Sequence, residues 1–215
     1  MTQLFHRRFG FLFRIGMVVV VAAVVTLIFM WRAVMSYPAN VGEALEQPVP
    51  FSHKHHVGDD GIDCRYCHTS VEQSKFAGIP PLATCMTCHS QLYTDQPVLA
   101  PLVAAFRSGV PFHWKRLYKL PDFVYFNHSI HIAKGVGCEG CHGQIDTMPL
   151  TTRVTSLTMQ WCLDCHRNPE PHLRPREEVF NLHWHPDNQL ALGRQLVRAY
   201  HIDKRRLTDC SLCHR

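Results

Sequence analysis

Ten cysteines and sixteen histidines stand out in this chain of 215 residues, and their spacing decides what chemistry they can do. Every cysteine belongs to a Cys-x-x-Cys pair, and a histidine follows each pair at once: Cys64, Cys67 and His68; Cys85, Cys88 and His89; Cys138, Cys141 and His142; Cys162, Cys165 and His166; Cys210, Cys213 and His214. This is the spacing of covalent c-type haem attachment. Two thiols add across the vinyl groups of the macrocycle, and the adjacent imidazole becomes the proximal ligand of the iron. A lone CxxCH could be half of a zinc site or a disulfide. Zinc sites, however, pair their cysteines without an obligatory following histidine, and five copies that use every cysteine leave none for either purpose. The sequence therefore predicts five haem c groups, each with its iron.

Five six-coordinate irons need five further ligands. An internal repeat selects four of them. Phe51-Ser52-His53-Lys54-His55-His56 precedes the first motif, and Phe126-Asn127-His128-Ser129-Ile130-His131 precedes the third. Histidines three apart share one face of a helical turn, with rings free to diverge toward two irons. His53, His56, His128 and His131 are thus the expected distal ligands, and His55 reads as a neighbour. Met148, or alternatively Met159, is the candidate for the fifth, since a thioether raises the potential of its haem above that of bis-histidine sites. His113, His172, His183, His185 and His201 read equally well as iron ligands or as surface residues and partners of haem propionates, so a C-terminal histidine stays open as the fifth ligand beside the two methionines.

These groups need a scaffold that brings two modules together. The motifs divide into dihaem modules at 51–89 and 126–166, with a fifth site at 210–214. Short helices near 98–107 and 188–200 are expected between them. Haem supplies most of the apolar core of such a chain, so the fold class predicted is mostly α with extensive ordered loops, little or no sheet, and five covalent haems as its organising centres. Ahead of this domain (51–215) comes a linker at 37–50, and ahead of that an anchor at 1–36. The apolar run from Ile15 to Trp31, with its flanks, makes a single transmembrane helix at about 11–35. Arg7, Arg8 and Arg14 precede it and Glu43 and Glu46 follow, which by the positive-inside rule puts the amino terminus, with His6, in the cytoplasm and the haem domain on the periplasmic side of the inner membrane. A cleaved secretory signal has the same charge order, but the apolar run is longer than its usual core and no clear cleavage site follows directly.

The formal charge of +5 does not argue for nucleic acid. Two propionates per haem would add about ten negative charges, and no nucleic-acid motif is present.

The segments FSHKHH with CRYCH, AGIPPLATCMTCH, PDFVYFNHSIH, GVGCEGCHG and MQWCLDCHRNP together resemble the pentahaem cytochrome c subunit of alternative complex III over nearly the whole chain. The resemblance implies a subunit of a respiratory or photosynthetic quinol-oxidising complex. Its partners would be integral membrane subunits holding the quinol site, an iron–sulfur subunit, a monohaem cytochrome c, and a periplasmic electron acceptor such as a cytochrome c or small copper protein. It also implies one haem with histidine and methionine ligands and four with two histidines. On this reading the chain relays electrons and is not itself an enzyme. A stand-alone tetrahaem quinol dehydrogenase of NapC/NrfH type has four motifs packed soon after its helix, whereas five motifs and a linker stand here. A multihaem reductase needs an open axial position, yet ligands are in excess. A haem sensor would call for an output domain, and none is apparent. A pyridine haemochrome assay on the purified protein is expected to return five haem c per chain; a lower stoichiometry would contradict the motif reading.

Overall fold

The computed structural model describes residues 7–36 and 41–214. His6 and positions 37–40 of the expected linker lie outside these residues. The chain forms two compact units, one up to Asn40 and the other from Val41 onward.

The first unit is helix α1, Arg7–Ser36. It is dominated by Val, Ala, Leu, Ile and Phe with no proline to break it, and at 1.5 Å per residue its 30 residues reach about 45 Å, more than the roughly 30 Å of a bilayer core. The hydroxyl of Thr26 donates to the Ala22 carbonyl at 2.8 Å, so this polar group is satisfied within the helix, as an apolar environment requires. Among the described residues, α1 alone is long and apolar enough to cross a membrane.

The second unit is built from short helices in long ordered loops. The elements are α2 (Cys64–Cys67), α3 (Leu82–His89), α4 (Ala100–Ser108), α5 (His128–Ala133), α6 (Glu139–His142), α7 (Met159–Arg167), α8 (Gln189–Ala199) and α9 (Cys210–Cys213). A π-helical turn covers Lys54–Asp59. Side-chain caps start several of them. Asp63 accepts from the Arg65 amide at 2.8 Å, Asn127 from Ser129 at 3.0 Å, and Asn188 from Ala191 at 3.0 Å. The Arg65 guanidinium beside Asp63 holds that carboxyl below its ordinary range. Gly109, at φ 68°, closes α4 in the left-handed conformation that favours glycine. Strand-like pairing among the described residues is confined to isolated antiparallel bridges, Ala44 with Thr152, Val124 with His214 and Val136 with Leu173.

Residues 41–50 pack onto this second unit instead of hanging free. Gly42 donates to the Arg153 carbonyl at 2.7 Å, Gln47 exchanges bonds of 2.8 and 2.9 Å with the backbone of Lys115, and Val49 is buried.

The protein-only core is small and sits toward the carboxyl-terminal half. Leu173, Val179, Leu182 and Leu196 are buried there, with Val49, Val71 and Leu102 as outlying sites. Helix α8 closes on the 170–173 turn through Gly193, where any Cβ would run into the Glu170 carbonyl, and through Gln189, which donates to the carbonyls of Glu170 and Leu173. Replacing Leu173, 2% exposed, by alanine is expected to cost about 2–5 kcal/mol in denaturant titrations of the haem-loaded protein. The same change at exposed Leu190 should stay within about 0.5 kcal/mol.

Candidate haem centres

All five attachment motifs lie on helical turns: the first on α2, the second on α3, the third from Cys138 into α6, the fourth on α7 and the fifth on α9. One turn places cysteines three apart on a common face. All ten thiols are free. Burial pushes the thiols of Cys138 and Cys141 up to about 12 and that of Cys165 to about 11. Among the described residues no three His, Cys, Asp or Glu side chains converge as ligands of a free metal ion.

The two F-x-H-x-x-H heads adopt the same geometry. Phe51 meets His53 edge-on at 4.9 Å and stacks on His56 at 4.6 Å. Phe126 meets His128 edge-on at 4.7 Å and stacks on His131 at 4.5 Å. Each phenylalanine is a wedge that splays its two imidazoles. The repeat carried this signal, although a role for the phenylalanine was not part of the sequence reading.

Histidine orientation is set through Nδ1. The Nδ1–H groups of His56, His131 and His128 donate to the carbonyls of Ser52 (2.8 Å), Asn127 (2.7 Å) and Lys75 (2.9 Å). Those of the motif residues His68, His89, His166 and His214 donate to Gly78 (2.7 Å), Leu92 (3.2 Å), Leu207 (2.8 Å) and Phe123 (3.4 Å). A carbonyl can only accept, so in these seven rings the proton is on Nδ1 and the lone pair is on Nε2, which is how second-shell bonds prepare a histidine to ligate metal. His53 pairs its Nδ1 with the Thr151 hydroxyl at 2.8 Å, and His142 packs edge-on against Tyr118. Burial first, then neighbouring imidazoles, pushes both down to about 4. Both are therefore neutral at physiological pH, the form that binds iron.

Two pairs of histidines have the separation that a shared iron requires. With a metal–nitrogen distance of about 2.0 Å and a ring centre about 1.1 Å behind the nitrogen, two imidazoles on opposite sides of one iron have centres about 6.2 Å apart. His56 and His89 are separated by 6.0 Å, and His131 and His166 by 6.2 Å.

Direct contacts bring some of the motifs together. Tyr66 in the first motif meets Thr87 in the second at 2.8 Å. Gly58, in the turn of the first head, lies against the Asp146 carbonyl just past the third motif. Leu207, just ahead of the fifth motif, holds His166 of the fourth.

The remaining candidates separate clearly. Met148 lies beside the first head, where its carbonyl accepts from Lys54 at 3.0 Å and its sulfur from the Thr152 hydroxyl at 3.7 Å. Met159 opens α7 one turn before Cys162 and is 66% exposed. The Nε2 of His183 is 2.6 Å from Asp146, and that of His55 is 3.5 Å from Asp60. His113, His172, His185 and His201 are exposed.

These residues fit haem: the donor set is thiol pairs with imidazoles held mostly through Nδ1, and the side-chain core is too small to support so long a chain at ordinary packing density. A groove of about 640 Å³ along α3, walled by Ile79, Leu82, Phe106, Phe112 and Trp114, offers apolar surface beside the second motif.

Comparison with known proteins points the same way. Residues 124–215 match the family of cytochrome c7 and related cytochrome c, and residues 31–100 match the class III cytochrome C family. Over 123 residues the chain is 40% identical to the multihaem cytochrome c subunit of menaquinone reductase from Nitratidesulfovibrio vulgaris, a match covering 57% of this chain and 56% of that protein. The chain thus spans about half the length of the curated relative it matches. The chain carries multihaem cytochrome c domains, and covalently bound haem c follows from both family matches. The variant His131→Ala is expected to convert one low-spin haem to high spin in the EPR spectrum of the oxidised protein. His183→Ala, whose ring faces Asp146, should leave every haem low-spin.

Proposed function

We propose that this chain is the electron-transfer subunit of a quinone-linked membrane complex and holds five covalent haems in a row. The observation that carries this reading is the repeated donor set: five CxxCH motifs on helical turns, with head histidines whose Nδ1 atoms are tied back so that Nε2 is left for iron. When bound, haem c supplies a one-electron iron centre whose potential follows its axial ligands and burial. In this reading His53 pairs with His68, His56 with His89, His128 with His142 and His131 with His166. Met159 serves His214, because Met148 sits among histidines that already make two full pairs. The ten cysteines fix each site covalently, Phe51 and Phe126 set the ring angles, and no side chain acts as a general acid or base.

The row runs from the second motif through the first, third and fourth to the fifth. A thioether ligand at His214 would raise the potential there relative to bis-histidine sites, making the fifth motif the favoured terminus for electrons. The placement proposed is single-pass through α1, with the amino terminus cytoplasmic and the haem domain periplasmic. Within alternative complex III the partners would be integral membrane and iron–sulfur subunits, a monohaem cytochrome c and a periplasmic acceptor, with quinol as the electron source. The name of the relative, a subunit of menaquinone reductase, favours a second reading in which electrons flow the other way, toward menaquinone.

Steady-state assays on the intact complex distinguish the two. Quinol-dependent reduction of a soluble cytochrome c is expected for the first. Menaquinone reduction driven by a reduced cytochrome, with no quinol oxidation, would favour the second. Absence of both activities would overturn the quinone link. Carbon monoxide should give no adduct with the reduced protein, whereas an adduct would bring forward a reductase with an open haem.

A further inference from the structure

One buried ion pair takes no part in axial ligation. Arg174 is 7% exposed, and its Nη2 donates to Glu139 Oε1. Glu139 is the first variable residue of the third attachment motif, Cys138-Glu139-Gly140-Cys141-His142. Nη1 of Arg174 donates to the carbonyls of Asn181 at 2.8 Å and Glu178 at 3.3 Å, and the guanidinium lies over the Trp184 ring at 5.2 Å. At Gly137 any Cβ would strike both the guanidinium and the Glu139 carboxylate. The pair is therefore clamped from several sides. It is also incompletely satisfied, since the buried Glu139 Oε2 and Arg174 Nε have no hydrogen-bond partner.

A partly desolvated pair of this kind is a doubtful source of stability, because the cost of taking two charges out of water can exceed their attraction. Its position suggests a different use. Glu139 lies between the two attachment cysteines of the third motif, and the close approach at Gly137 holds the Arg174 guanidinium against it. A negative charge beside a haem favours oxidised over reduced iron and a positive charge does the reverse, because the iron centre becomes more positive on oxidation.

We infer that the Arg174–Glu139 pair sets the reduction potential of the haem attached at Cys138 and Cys141. The carboxylate lowers that potential, the guanidinium raises it, and the clamp holds the two in balance. This rests on the proposed electron-transfer reading, in which the third motif occupies the middle of the row and every electron crossing the chain passes it. Both are positioning residues that act through charge.

The test is a spectroelectrochemical titration of the full-length haem-loaded protein and its variants, after haem has been counted in each. Glu139→Gln is expected to shift one reduction step upward by on the order of tenfold in equilibrium constant, about 59 mV for one electron. Arg174→Gln should shift the same step downward by a similar amount, and the double variant should return close to the parent. Should Arg174→Gln fail to accumulate because it leaves a buried carboxylate unpaired, Glu139→Gln with charge-preserving Arg174→Lys decides the matter: the first moves the step up and the second leaves it in place. Shifts of the same sign in both glutamine variants, or no shift in Glu139→Gln with haem content intact, would overturn the inference. A parent protein lacking haem at Cys138 and Cys141 would overturn the proposed function instead.

Discussion

A histidine presents Nε2 to iron most rigidly when something holds its other nitrogen, and in this chain the holders are mostly backbone carbonyls. Two of these are close in sequence, the carbonyls four residues before His56 and His131, so each head orients one of its own rings. Others are distant. His166 depends on Leu207, 41 residues on, and His214 on Phe123, 91 residues back. Each of these bonds ties a loop to a motif, and the path of the loops follows from where carbonyls are needed.

This constraint explains why so little regular structure suffices. Most of the helices in the second unit are a turn or two long, enough to place two cysteines and a histidine on one face but too short to be stable alone. Only a handful of apolar side chains are buried, and they gather where 170–182 packs under α8. Elsewhere covalent haem and the histidine bonds must carry the order that a side-chain core supplies in an ordinary domain. The loops are correspondingly rich in specific bonds, among them Tyr125 to Cys213 at 2.8 Å and Ser129 to Ser74 at 3.2 Å.

Much of this was legible in the sequence where the determinant was local. The CxxCH motifs, the repeated heads, the apolar helix and the two amphipathic helices at Ala100–Ser108 and Gln189–Ala199 all depend on residues within a few positions of one another. The features that were not legible depend on contacts across the chain. The docking of residues 41–50 rests on a reciprocal pair of bonds between Gln47 and Lys115, which leaves no pattern in composition. The engagement of His183 depends on Asp146, 37 residues away. Met148 and Met159 look alike in sequence, whereas in the fold the first touches Lys54 and Thr152 beside the first head and the second is exposed at the start of α7. In the proposed row the order of the motifs departs from their order in the chain, because the first module enters in reverse with the second motif outermost.

The most direct test is an electron cryomicroscopy map of the haem-loaded chain within its complex, at a resolution that places each iron and its axial ligands. The account predicts one continuous row of irons in the order second, first, third, fourth, fifth, with His56 and His89 on one iron and His131 and His166 on another. Irons following the order of the chain, or either of those histidine pairs divided between two irons, would contradict it.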